Sequence, residues 1–309
     1  MTLPRLALFG TPEYSLLVFE KLRTFNYPIA VVATKPPRPI GRKQILTETP
    51  VALWAKNNKL NLILIGADPQ KPWLFQNENL LTQQVLEFNP ELLISADFTQ
   101  KIPMQLVKQI KHGGLNVHPS LLPAYRGPAP IPWAIHNGEK QTGVSIVTLN
   151  NQLDAGLVIA QEKELILPSD TTDILLHRLF TKGADLLLKV LPEYIDNPTA
   201  NRKLPTANPS YFTRLTRDHG FEPWEKIKLA IENGKDTDRI DRKWRAFHPW
   251  PGLWTKVVVN NQEKRMKILK LRLENHKLIL DEIQLEGKNQ LEGSAVKQLL
   301  AELQDENSS

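Results

Sequence analysis

The chain has 309 residues and no cysteine. That absence excludes disulfides, a thiol nucleophile and any zinc site built on thiolates. No stretch approaches the roughly 18 consecutive apolar residues that a membrane helix needs. The first ten residues, Met1 to Gly10, run straight into a strand-like segment without the small-residue cleavage pattern of a secretory signal, and we expect a cytoplasmic protein. The Gly-x-Gly-x-x-Gly fingerprint is missing as well. Gly10-Thr11-Pro12-Glu13 closes the first apolar run instead, so no dinucleotide is expected. The 7 histidines show no metal-ligand spacing, and no metal is expected. A net charge of +6 is mild. It is compatible with an anionic substrate without identifying one.

What is present is ordinary and patterned. Apolar residues make up 41% of the chain, enough to bury two cores. Over the first 200 residues, short apolar runs alternate with helical periodicity. Arg5–Phe9, Ile29–Thr34, Leu62–Ile65, Leu92–Ala96, Leu115–His118 and Thr142–Leu149 read as strands. Pro12–Phe25 and Leu80–Phe88 read as helices, the first with Thr11 as a hydroxyl cap and Pro12 in its first turn. Such alternation predicts an α/β domain over 1–200 with a doubly wound, largely parallel sheet. A stretch rich in Asn, Pro, Thr and Lys around 201–209 reads as a linker. Beyond it, a helix over Pro223–Asn233 precedes strands at Lys256–Val259, Met266–Leu273 and Leu278–Leu285, with Asn275-His276 as a hairpin turn. Several strands in about 100 residues predict a small OB-like β-barrel over 210–309.

Chemistry concentrates at 115–130, Leu-Asn-Val-His-Pro-Ser-Leu-Leu-Pro-Ala-Tyr-Arg-Gly-Pro-Ala-Pro. Asn116 and His118 are two apart at the carboxyl end of a predicted strand, so their side chains share a face. In open α/β sheets ligands sit beyond that end. Pro119 stops the strand. Judged by residue type alone, the pair fits a catalytic amide and imidazole and a strand-end turn about equally.

The longer string is more specific. Asn-x-His-Pro-Ser-Leu-Leu-Pro followed by Tyr-Arg-Gly-x-Ala-Pro-Ile, with Leu153-Asp154-Ala155-Gly156 further on, resembles the signature of the folate-dependent formyltransferases. The resemblance runs from Gly10 to about Gly287. It implies a Rossmann-like catalytic domain, and Asn116, His118 and Asp154 as the catalytic trio. The turn Ser120, Leu121, Leu122 and Pro123 would contact the folate, and Phe98 would border its pocket. In that stretch relatives commonly carry Tyr-Gly where this chain has Phe98-Thr99, and Asp97 is also unusual. The basic, proline-rich loop Thr34–Pro50 resembles the one that meets the tRNA acceptor end, which would put Arg42 and Lys43, and less directly Arg38, on phosphates. The implied reaction moves a formyl group from 10-formyltetrahydrofolate to the α-amino group of methionyl-initiator tRNA, in a monomer. An amine attacking the formyl carbon develops an oxyanion, to which the Asn116 amide and a protonated His118 can donate, while His118 and Asp154 handle protons.

Arg245 to Gly252, with Phe247 and Pro249-Trp250-Pro251, resembles the C-terminal part of the same enzymes, and we expect Trp250 and its neighbours to be packing and turn residues. The C-terminal segment is only slightly basic. Any tRNA contact there must come from a local face such as Lys264, Arg265, Lys267 and Lys270, which equally suit a solvated strand edge. Two rival readings remain. One is another folate-dependent formyltransferase that shares the trio, acting on a nucleotide-linked amino sugar, against which the basic loop and the C-terminal segment argue, or on a purine precursor, which would be expected to lack the barrel domain and the Arg126-Gly127-x-Ala129-Pro130 continuation. The other is a non-catalytic RNA-binding protein, against which the intact trio argues. A formyltetrahydrofolate dehydrogenase would need a further domain and a nucleophilic Cys.

Overall fold

The computed structural model describes residues 2–41, 43–197 and 209–305. Its elements run β1 (Leu6–Phe9), α1 (Glu13–Thr24), β2 (Ile29–Thr34), β3 (Arg38–Ile40), β4 (Ile45–Thr47), α2 (Pro50–Asn57), β5 (Leu62–Leu64), α3 (Glu78–Leu86), β6 (Leu92–Ala96), α4 (Met104–Val107), β7 (Gly114–His118), α5 (Pro130–His136), β8 (Gln141–Thr148), β9 (Val158–Leu165) and α6 (Thr172–Asp196). After a 3₁₀ turn at Arg217–Gly220 come α7 (Trp224–Asn233), α8 (Thr237–Phe247), β10 (Leu253–Val259), β11 (Gln262–Glu274), β12 (Lys277–Leu285), β13 (Gln290–Glu292) and α9 (Ser294–Asp305). The chain divides into two compact units. One comprises Met1–Pro130, Gln141–Leu165 and Leu176–Phe212; the other comprises Ile131–Lys140, Ile166–Leu175 and Thr213–Ser309. The linker expected over 201–209 lies, except for Pro209, outside the described residues.

The first unit is built on a seven-stranded sheet in the order β5-β2-β1-β6-β7-β8-β9. Every neighbouring pair from β5 to β7 is parallel, whereas β7–β8 and β8–β9 are antiparallel. The order reverses direction between β1 and β6, the switch point at which such sheets open a crevice. All residues of β1 and β6 are buried, as expected of strands covered on both faces. At the far edge, β9 alternates exposed and half-buried residues and carries Glu162, Lys163 and Glu164, charges that discourage further pairing.

Two local expectations are corrected. Thr11 does not cap α1: Pro12 occupies the cap position in an extended conformation, with no side-chain cap bond. The helix start is anchored instead by the buried Ser15, whose hydroxyl accepts from Thr11 N at 3.1 Å and donates to Ala96 O at 2.7 Å. Nor is Trp250 a core residue, being 59% exposed. The packing role falls to Phe247, 1% exposed and stacked on His136 at 5.2 Å between ring centroids, while Trp250 lies in the turn beyond α8.

The second unit holds an antiparallel sheet in the order β10-β11-β12-β13. Asn275 and His276 both have positive φ, 49° and 61°, as a two-residue hairpin turn requires. Ile227, Ile240, Met266, Ile268, Ile283 and Val296 are among the residues that form its core. Helix α9, not anticipated from the sequence, contributes Val296, Leu299 and Leu303 at helical spacing. No described helix is long and apolar enough to cross a membrane.

Candidate active site

The carboxyl ends of β1, β2, β6 and β7 point to one edge of the sheet, because these strands are parallel. Asn116 and His118 stand at that edge on β7, two residues apart and so on the same face. Asp154 arrives from the other side, on the loop after β8. The loop folds back tightly there: a Cβ on Gly156 would lie 1.7 Å from the Thr148 carbonyl oxygen, so only glycine fits. Asp154 itself has φ +53°, a conformation its short polar side chain tolerates.

The three side chains converge. His118 Nδ1 lies 3.4 Å from Asp154 Oδ1, both groups nearly buried. The Asn116 amide donates to the same oxygen at 3.4 Å. Asp154 Oδ2 accepts from the Gly127 backbone N–H at 2.9 Å. His118 Nε2 lies 3.1 Å from the Tyr125 carbonyl oxygen. A carbonyl can only accept, so Nε2 carries the proton in this contact. Both ring nitrogens therefore have partners in the protein. The Asn116 bond is long enough to be given up readily.

The Ser120–Pro123 turn follows directly. Ser120 and Leu122 are buried and Leu121 is half-buried. The Ser120 hydroxyl donates to Ala124 O at 2.8 Å, and the turn is held from below by the fully buried Ser145. Ser145 Oγ accepts from Leu122 N at 3.1 Å and from Gln161 Nε2 at 2.9 Å, and donates to Ser120 O at 2.6 Å. With these side chains turned inward, the turn can meet a ligand chiefly through its backbone and Leu121. Phe98 is half-buried and packs edge-on to Phe9 at 5.4 Å and face-on to Phe75 at 6.0 Å, so one side of it belongs to the core.

Asp97 precedes it, one residue past the end of β6 and level with His118, since Ala96 pairs with Val117. Burial pushes its carboxyl up to about 6; Glu13 adds to the rise, and the positive charges of His118 and Lys35 oppose it. Lys35 donates to Thr99 Oγ1 at 2.5 Å. Two buried polar atoms from loops at this edge, Thr11 Oγ1 and Arg126 Nε, have no hydrogen-bond partner among the described residues. Unsatisfied groups of this kind suit a polar ligand seated beside them.

Beyond β2 the basic loop forms the hairpin β3–β4, with Arg38 paired to Thr47 and every strand residue exposed. Lys43 is exposed in its tip, and Arg42 lies outside the described residues. Among the described residues neither Arg38 nor Lys43 makes an ion pair. No group of three or more His, Asp or Glu that could hold a metal occurs among the described residues.

Sequence reasoning noted Asp97 only as unusual, and missed the Tyr125 carbonyl, the Gly127 N–H and the Ser145–Gln161 support. Gly127 did carry a signal: it has φ +103°, and a Cβ there would meet the Phe212 carbonyl oxygen at 2.4 Å.

Comparison with known proteins agrees in kind. Residues 5–191 match the model of the formyl transferase family, and 226–279 that of the formyl transferase C-terminal domain. The methionyl-tRNA formyltransferase of Halalkalibacterium halodurans is 35% identical over 251 residues, 81% of this chain and 74% of that protein. That of Lysinibacillus sphaericus is 38% identical over 247 residues, 80% of this chain and 73% of its own. Among solved structures, the methionyl-tRNA formyltransferase from Clostridium thermocellum shares the fold with a TM-score of 0.55 at 14% identity, covering 94% of this chain and all of that one, 100%. An N-formyltransferase from Helicobacter canadensis, in complex with folinic acid and dTDP-3-aminofucose, does so with a TM-score of 0.60 at 20% identity, covering 92% and 96%.

Proposed function

This chain belongs to the formyl transferase family, and we propose that it transfers the formyl group of 10-formyltetrahydrofolate to the α-amino group of methionyl-initiator tRNA. The observation that carries the reading is the convergence of Asn116 and His118 on Asp154 at the crevice edge of the sheet. Relatives named methionyl-tRNA formyltransferase, each matched over most of its length, decide the acceptor over an amino sugar.

In this reading the amine nitrogen attacks the formyl carbon, and the carbonyl oxygen takes up the electron pair. The Asn116 amide turns from Asp154 to donate to that oxygen, joined by the His118 ring. The proton lost by the amine passes to the His118–Asp154 pair and returns to the folate nitrogen as its bond to carbon breaks, so formyl and proton change places between two nitrogens. Arrangement in advance is the main contribution of the protein, since Asp154 is already fixed by the Gly127 N–H and needs little reorganisation. The Ser120–Pro123 turn and Phe98 border the folate. Arg38, Arg42 and Lys43 neutralise acceptor-stem phosphates. Residues 1–200 form the catalytic domain, 201–209 the linker and 210–309 the domain that aids tRNA binding. We read the protein as a cytoplasmic monomer.

The deciding experiment offers purified protein 10-formyltetrahydrofolate with methionyl-tRNA, and separately with a nucleotide-linked amino sugar. Formylmethionyl-tRNA as the only product is expected. Formylation of the sugar alone would replace this reading by that of a sugar formyltransferase.

A further inference from the structure

We propose that Ser210 and Phe212 are positioning residues of the reacting centre, clamping the Tyr125–Gly127 loop so that His118 and Asp154 keep their partners. The proposal rests on the reading of those two residues as the proton-handling pair.

The loop after the Ser120–Pro123 turn supplies two backbone groups to the site: the Tyr125 carbonyl at His118 Nε2 and the Gly127 N–H at Asp154 Oδ2. Neither group is held by a sheet or helix. Tyr125 has φ +56°, a region a bulky side chain occupies only where its surroundings impose it. What imposes it is a segment more than 80 residues further along the same unit. Tyr125 N donates to Ser210 Oγ at 2.8 Å. Arg126 N donates to Ser210 O at 2.8 Å, Phe212 N to Arg126 O at 2.9 Å and Ser210 N to Pro123 O at 3.3 Å, so the segment runs as a short parallel pairing along the loop. The Phe212 ring stacks on that of Tyr125, 4.6 Å between centroids and 9° from coplanar. Phe212 O also comes so close to Gly127 that no side chain fits there. The strap thus grips both residues whose backbone groups hold the His–Asp pair. It acts on the pair through those two backbone groups, which makes it a support rather than a participant.

Displacement of reacting groups by about 1 Å can cost on the order of 100-fold in rate without weakening binding. Phe212→Ala is therefore expected to lower kcat about 10–100-fold, and Ser210→Ala, which removes one hydrogen bond and leaves the backbone pairing, about 3–10-fold. The KM for folate and for charged tRNA should each stay within about two-fold in both, and Phe212→Tyr, which keeps the stack, should retain the parent kcat. A second readout is independent of any reaction. In long-range proton–nitrogen spectra of the histidine rings, with His118 assigned by its loss in His118→Asn, the His118 signals should shift in both variants while those of the other histidines stay. If Phe212→Ala does not fold, Ser210→Ala decides by the same two measurements. Unchanged His118 signals or an unchanged kcat in a folded variant overturns the proposal. If the parent protein formylates nothing, the proposed reaction fails, and the ring spectra still decide whether the strap holds His118.

Discussion

His118 presents one ring nitrogen to a carbonyl oxygen and the other to a carboxylate, and Asn116 shares that carboxylate. Removing any one group leaves the others in altered contacts, so single losses should be severe and not additive. His118→Ala and Asp154→Ala are each expected to cut kcat on the order of 10²–10⁴-fold, and rapid-quench turnover under saturating substrate measures it. A rate near that of the parent protein would remove the residue from the mechanism. Asp97 makes a different, thermodynamic prediction. Its carboxyl sits at about 6 in the folded protein against an ordinary 3.8, because burial and Glu13 disfavour the charge more than His118 and Lys35 favour it. The folded state therefore binds this proton more tightly than the unfolded one. Its contribution to stability is greatest below the ordinary value and falls as pH rises through about 6. Asp97→Asn removes the charge penalty, so its advantage over the parent protein should grow between pH 5 and pH 8 to on the order of 3 kcal/mol. Urea unfolding at the two pH values gives the comparison, and a pH-independent difference would show that Asp97 is not penalised by its surroundings.

At the scale of elements, the site depends on how β7, β8 and the loops beyond them are supported. Ser145 of β8 accepts two hydrogen bonds and donates a third, all serving the Ser120–Pro123 turn directly or through Gln161. Ser145→Ala leaves the Leu122 N–H and a buried carbonyl short of a partner, at a cost of about 1–3 kcal/mol. If the turn seats the folate, the KM for folate should rise several-fold while that for tRNA holds, which initial-rate kinetics with each substrate varied would reveal. An unchanged folate KM in a folded variant would take the turn out of the binding site. Legibility in the sequence follows the same supports. Asn116 and His118 could be read from local alternation because a strand end displays every second residue. Asp154 became visible only through resemblance, since its loop is distant in sequence and its φ of +53° has no periodic signature. The Tyr125 carbonyl and Gly127 N–H were illegible because backbone groups carry no residue-type signal, and the Ser210–Phe212 contacts because they join segments more than 80 residues apart in sequence. Helix α6 escaped notice for another reason. Gly183 and Pro192 lower its local propensity, yet a Cβ on Gly183 would press on Val117 at 2.6 Å and Val144 at 2.9 Å, so close packing on the sheet requires that glycine. Tertiary contact outweighs propensity here.

For the molecule as a whole, a net charge of +6 is too small to capture a polyanion without local concentration. The C-terminal segment does not concentrate it strongly: Lys256, Arg265, Lys270 and Arg272 each lie within 4 Å of a carboxylate, Lys256 with Glu263 at 2.8 Å for example, which leaves Lys264 and Lys267 without an ion pair among the described residues. The β3–β4 hairpin does, holding Arg38 and Lys43 exposed without ion pairs among the described residues, with Arg42 between them in sequence and Ile45 and Leu46 exposed beside them. Cations already paired within the protein gain little from a phosphate, whereas unpaired ones release counterions from the RNA in proportion to the contacts made. Charged-tRNA binding should therefore weaken steeply from 50 to 200 mM salt, and folate binding much less. Arg42→Ala should raise the KM for charged tRNA and leave the folate KM intact. The Arg38→Ala, Lys43→Ala double variant should reduce the slope of log affinity against log salt by about 1–2, the amount two phosphate contacts contribute. Filter binding across the salt series measures that slope. A parent slope retained in all of these variants would assign the tRNA to another face of the protein and leave the hairpin a connector.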